Sequence, residues 1–117
     1  MPTVAALVDD LMFLSRILES ARVVGAEVQG VRDVPSLLAA MNSGATLALL
    51  DLDSTRLPWR EALDAWRTDP ALAGVRVVGF FSHVHAERAR DARAAGCTEA
   101  LPRSAFVQQL DSILRGA

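Results

Sequence analysis

The ten residues TLALLDLDST, 46–55, decide how this chain is read. Thr46 to Leu50 form an apolar run without alternation, which fits a strand buried on both faces. The run ends on Asp51, and a second carboxylate, Asp53, follows two residues later. A buried strand that ends in carboxylates puts acid groups at the rim of a sheet, where open α/β folds bind their ligands.

Outward from this stretch the same alternation repeats. VAALV, 4–8, predicts a first strand, and Asp10 caps a helix through LMFLSRILESARVV that Gly25 stops. AEVQGV, 26–31, is a second strand; Asp33 caps VPSLLAAMNS, with Pro35 in its first turn and Gly44 at its end. After the 46–51 strand, LPWREALDAWRTD predicts a helix stopped before Pro70. VRVVGFF, 75–81, is a fourth strand, and HAERARDARAAG is a helix ending at Gly96. TEALP, 98–102, is a short fifth strand, and SAFVQQLDSILR is a closing helix capped by Ser104. Five βα units with apolar strands predict an α/β fold: a doubly wound, five-stranded parallel sheet with five helices, in one domain spanning 1–117. The residues after each strand are then the ones to inspect: Asp9 and Asp10, Gly30 to Asp33, Asp51 to Thr55, Phe81 to His85, and Pro102 to Ser104.

Composition narrows the function classes. A chain of 117 residues with 51% apolar residues can bury a two-sided core. A net charge of −2 gives no basic footprint for nucleic acid. No apolar run approaches the roughly 20 residues of a membrane span, and the N-terminus has no basic region of the signal-peptide kind. With Cys97 as the single cysteine there is no internal disulfide, and a cytoplasmic location is the expectation. Cys97 itself reads as a small buried thiol. All 12 basic residues are arginine, so any chemistry that needs lysine must run on arginine or not at all.

Three stretches together resemble the response-regulator receiver domain of two-component signalling, over nearly the whole chain. LVDD places Asp9 and Asp10 after the first strand, LALLD places Asp51 after the third, and WRTDPALAGVRVVGFFSH with ARAAGCTEALPRSAF is similar to the passage from the third helix to the fifth strand. The resemblance implies a flavodoxin-like receiver fold, no enzymatic turnover, and Asp51 as phosphoacceptor in a phosphorelay. It implies Mg2+ held by Asp51, one of Asp9 and Asp10, and the backbone carbonyl of Asp53. Such an ion takes oxygen ligands and neutralises charge as a carboxylate attacks phosphorus. Without the ion, the three aspartates would serve as caps of helices and turns. The resemblance also implies a histidine kinase or another protein as partner. With no room in 117 residues for an output domain, the message passes by contact through the fourth helix, fifth strand and fifth helix.

Three positions depart from the family pattern. Receivers end the fourth strand with Thr or Ser, whose hydroxyl binds the phosphoryl group; Phe81 stands there, and Ser82 follows one residue late. Ser82 substitutes only if the strand bulges or ends early, because one residue of shift turns a side chain to the other face. A hydrogen bond lost from a charged acceptor costs roughly 1.5–3 kcal/mol. At the fifth strand Arg103 replaces the lysine, with Ser104 and not proline after it. Arg103 then either clamps phosphate or pairs permanently with Asp51. Ala100 replaces the aromatic residue that couples the site to the surface. These departures suggest a stand-alone, atypical receiver, or a degenerate pseudo-receiver that acts as a phosphorylation-independent interaction module.

A different chemistry is open to DLDST. In a haloacid-dehalogenase-type phosphatase, Asp51 would be nucleophile and Asp53 general acid. That motif opens a first strand and needs a lysine, and neither condition holds here. His83 and His85 could bind a transition metal, or cap the next helix, or face solvent. Arg88, Arg90 and Arg93 read as a solvated helix face with Asp91 as the i,i+3 partner of Arg88, or as a partner surface. Trp59 and Trp66, seven apart on one helical face, read as core, or as a seam between two copies in a homodimer.

Overall fold

The computed structural model describes residues 3–117. The central strand β3, Leu47–Asp51, is buried at every position, as an uninterrupted apolar run requires. Around it stand β1 (Thr3–Leu7), β2 (Glu27–Gly30), β4 (Arg76–Phe81) and β5 (Glu99–Pro102), all parallel, in the order β2-β1-β3-β4-β5. The helices are α1 (Leu11–Val24), α2 (Val34–Asn42), α3 (Trp59–Arg67), α4 (Ala86–Ala94) and α5 (Arg103–Arg115). Two 3-10 turns, Pro70–Leu72 and His83–His85, precede β4 and α4.

Local chemistry explains most of the boundaries. Asp10 accepts from the Phe13 N–H at 3.1 Å and caps α1, which stops where Gly25 takes φ 79°. Asp33 accepts from the Ser36 N–H at 2.7 Å and caps α2. α5 begins one residue before the expected Ser104 cap. Pro102 holds its N-cap position without a side-chain hydrogen bond, so Arg103 is the first helical residue and not part of the strand.

The sheet separates two apolar layers. Val4, Ala6, Leu47, Leu49, Val78 and Phe80 face α1 and α5, where Phe13, Phe80 and Phe106 stack with ring centroids 4.5–5.7 Å apart. Leu7, Ala48, Leu50, Leu52, Val77 and Phe81 pack with Leu37, Leu63, Ala89 and Ala92 of α2, α3 and α4. Trp59 belongs to this second layer, and Trp66 packs against it with Nε1 donating to the Leu72 carbonyl at 3.0 Å. Trp59 is therefore a core residue, and Trp66 lies half-buried at the edge of that core. No helix among the described residues is long and apolar enough to cross a membrane.

Candidate functional site

Sheet order fixes where to look. β1 has β2 on one side and β3 on the other, so the winding reverses between β1 and β3, and the crevice opens at their carboxyl ends. Asp9 and Asp10 leave β1 there, and Asp51 ends β3. Together with Asp53, they share a cleft of about 300 Å³ with Arg56 and Arg103.

Asp51 is 2% exposed and both its oxygens are engaged. Oδ2 accepts from the backbone N–H groups of Asp9 (3.1 Å) and Asp10 (3.4 Å), and Oδ1 accepts from the Asp53 N–H at 3.1 Å. Arg103 Nη2 lies 3.6 Å from Oδ1. Burial raises the Asp51 pKa above the usual carboxylate value, against these N–H groups and the Arg103 charge.

The other three carboxylates are turned to two cations, Asp9 to Arg56 and both Asp10 and Asp53 to Arg103. Asp9 pairs with Arg56 through both oxygens, accepts from Ser54 Oγ at 3.1 Å, and lies 3.5 Å from Arg32. The Arg56 guanidinium holds its pKa down at about 2. Asp10 accepts from Arg103 Nη1 at 3.1 Å, and its capping bond from Phe13, with Arg103, lowers its pKa. Asp53 accepts from Arg103 Nε at 2.8 Å, His85 Nδ1 at 2.9 Å and the Ser82 N–H at 2.9 and 3.0 Å. Burial alone would raise its pKa, but these donors lower it. Arg103 thus reaches three carboxylates, and its flat guanidinium rests on Phe13 and Phe80, 4.6 and 5.2 Å from the ring centroids.

Several expected residues therefore meet partners that local spacing did not name. Arg88 turns away from Asp91 and donates to the Leu52 and Asp53 carbonyls at 3.2 and 2.6 Å, while Asp91 pairs with Arg60. His85 binds Asp53 and not solvent or a helix end. The ladder from β4 to β5 runs without a bulge to Phe81 opposite Pro102. Phe81 is buried in the α3–α4 layer, and Ser82 contributes its amide to Asp53. Among the described residues its hydroxyl makes no hydrogen bond to Asp51. Arg32 falls inside the Gly30 to Asp33 stretch after β2, though no role was expected of it, and Arg56 falls one residue beyond the Asp51 to Thr55 stretch. The signal was present: each follows a strand by a few positions, at the same rim as the acids. Cys97 is buried, and burial pushes its thiol up, away from the thiolate form.

Solved structures share this architecture. The phosphorylated cyanobacterial phytochrome response regulator RcpA matches at 23% identity and TM-score 0.75, over 98% of this chain and 89% of that one. The chemotaxis response regulator CheY4 of Vibrio cholerae matches at 18% identity and TM-score 0.79, over 99% and 98%. The receiver domain of a sensor histidine kinase from Pseudomonas aeruginosa PAO1, described with magnesium coordinated in its active-site cleft, matches at 16% and 0.77, over 99% and 98%. This chain has the response-regulator receiver fold. No family model matches the sequence, and the search of curated proteins returns no match.

In this receiver fold the donor set does not fit a hard divalent cation. An octahedral ion needs converging oxygen lone pairs. Here those of Asp9, Asp10 and Asp51 go to guanidinium and backbone N–H groups, and the Asp53 carbonyl accepts from Arg88. Among the described residues no three His, Cys, Asp or Glu side chains are arranged to hold a metal.

These pairings set an acid dependence. Asp9, Asp10 and Asp53 have folded pKa values below the ordinary 3.8, so they stabilise the fold above that value. That contribution is lost as the pH falls through their lowered folded values. Asp51 has the opposite sign, since protonation relieves its buried charge. The urea midpoint is expected to fall between about pH 4 and about pH 2, where Asp9, Asp10 and Asp53 lose their contribution. The raised folded value of Asp51 places its opposing gain above the ordinary 3.8, so Asp51→Asn keeps this fall and lacks the gain that precedes it. A midpoint that rises between about pH 4 and about pH 2 would contradict the pairing.

Proposed function

We propose that this chain is a receiver-fold signalling module that acts by contact with a partner protein, independently of phosphorylation at Asp51. The observation that carries this is Arg103, which ties Asp10, Asp51 and Asp53 together in one fork. Guanidinium groups do the charge neutralisation that a divalent cation would otherwise do. Asp51 is buried with both oxygens accepting backbone N–H groups, and Phe81 puts a phenyl ring where an incoming phosphoryl oxygen needs a hydroxyl. The faces of α4, β5 and α5 are the proposed contact surface, and a histidine kinase or a second signalling protein the proposed partner.

The position of Asp51 at the switch point of the sheet favours a second reading, in which it is a phosphoacceptor with Mg2+. Incubation with acetyl phosphate and Mg2+, read by intact mass, separates the two. The wild type is expected to gain nothing under conditions that label an ordinary receiver. A gain of one phosphoryl group that disappears in Asp51→Asn would establish the second reading. Turnover of a generic phosphate ester would instead revive the phosphatase chemistry of Asp51 and Asp53.

A further inference from the structure

α1 carries an apolar surface that the rest of the protein does not cover. Five large apolar side chains are exposed among the described residues, and four of them, Leu11, Met12, Leu18 and Val23, lie on this one helix, 45–85% exposed. A lone exposed leucine or valine is ordinary, but four on one side of one helix mark a surface that another surface covers. The opposite side of α1, with Ile17 and Ala21, is buried in the layer it shares with α5.

The order of residues on the exposed side points to what covers it. Met12, Arg16, Glu19 and Val23 recur at i, i+4, i+7 and i+11, so they form one row along the helix. The row reads apolar, positive, negative, apolar. Two copies of it laid antiparallel about a two-fold axis match at every position. Met12 meets Val23 of the second copy and Arg16 meets its Glu19, each contact made twice. Laid parallel, the row would set Arg16 against Arg16. Leu11 and Leu18 belong to the neighbouring row, and Leu18, beside the midpoint, meets its own counterpart. Arg16 has its charge to offer: among the described residues it makes no ion pair, while Glu19 pairs with Arg22 at 2.6 Å. Val23 of the second copy arrives at a groove of about 390 Å³ lined by Asp10, Met12, Phe13 and Arg16.

We propose that α1 is a self-association face, on which two copies of this chain pair through antiparallel α1 helices. The helix has 14 residues and is about 21 Å long, so the pair buries an area at the low end of protein interfaces and the dimer is weak and reversible. The α4 and β5 contact surface is separate from this face, and neither outcome of the acetyl phosphate experiment changes the expected association. Sedimentation equilibrium of the full chain tests it. The weight-average mass is expected to rise from one chain toward two between about 10 µM and about 1 mM. Leu18→Glu brings two carboxylates together at the axis and is expected to leave a monomer, with an unchanged thermal midpoint showing that the exposed position does not affect folding. Arg16→Glu and Glu19→Arg each set like charges together at both contacts, and each is expected to weaken the dimer about three- to tenfold. The double swap restores opposite charges across the axis and is expected to return association to within about twofold of wild type. A chain that stays monomeric at about 1 mM, or a dimer that none of these changes weakens, overturns the proposal. So does a double swap that associates no more tightly than the single variants, because Arg16 and Glu19 then do not face each other between copies.

Discussion

Replacing Arg103 with methionine is expected to destabilise the fold by about 3 kcal/mol. Methionine keeps the apolar stem out to about the Nε position but not the guanidinium that lies over Phe13 and Phe80, so the change removes the charge together with that ring contact. What is lost is the fork to Asp53 at 2.8 Å and Asp10 at 3.1 Å, and the neighbouring charge 3.6 Å from Asp51. Breaking a buried ion pair from one side costs about 3–5 kcal/mol, because the remaining charge stays buried and unpaired. The lower end applies here, since the Arg103 side chain keeps 27% of its surface in water. Arg103→Lys is expected to recover less than half of the loss. An ammonium is a point charge that cannot fork across three carboxylates or lie flat on a phenyl ring. Divalent cation provides the sharper readout. With the guanidinium gone, converging carboxylate oxygens are released, and Mg2+ should raise the urea midpoint of Arg103→Met while leaving wild type unchanged. If Mg2+ stabilises wild type as much as the variant, the arginines are not standing in for a cation.

Which parts of this site could be read in the sequence follows from how far apart the partners are. The caps at Asp10 and Asp33 were legible because a cap bonds to an amide three residues on. The strands were legible because burial on both faces needs a run of apolar residues. The carboxylates at the rim were legible because each follows a strand. Their partners were not. Arg103 meets Asp10 across 93 positions and Arg56 meets Asp9 across 47, distances closed only by the β2-β1-β3-β4-β5 order. Arg88 shows the same limit. Spacing pointed it at Asp91 on its own helix, but the end of β3 offers two carbonyls, and a long cation takes whichever acceptor the fold brings nearer. The aromatic rings under Arg103 were also hidden. Phe13 and Phe80 come from α1 and β4, and only their stacking, with Phe106 of α5 packed beside them, makes a platform that suits arginine better than lysine.

Phe81→Thr would restore the residue type that receivers carry at this position, and it is expected to cost about 3–4 kcal/mol without restoring phosphotransfer. Phe81 is 6% exposed and packs in the layer with Leu57, Ala89 and Ala92, so threonine leaves most of a phenyl ring's volume empty. Its hydroxyl also enters an apolar layer, where a group without a partner adds to the cost. The backbone cannot shift to help, because the β4 ladder is regular to its last residue, opposite Pro102. Nor is the hydroxyl the missing part alone. The Asp53 carboxylate already holds the Ser82 amide and Arg103, and Asp51 stays buried behind it. Urea unfolding of Phe81→Thr and Phe81→Ala should show similar losses, and intact mass after acetyl phosphate and Mg2+ should show no gain in either. A threonine variant that is both stable and phosphorylated would mean that Phe81 by itself had silenced an otherwise working acceptor. Loss of stability with no gain of chemistry would instead mean that phenylalanine, the arginine fork and the Asp53 carboxylate form one arrangement, in which the ring fills the core that a switching side chain would have to leave loose.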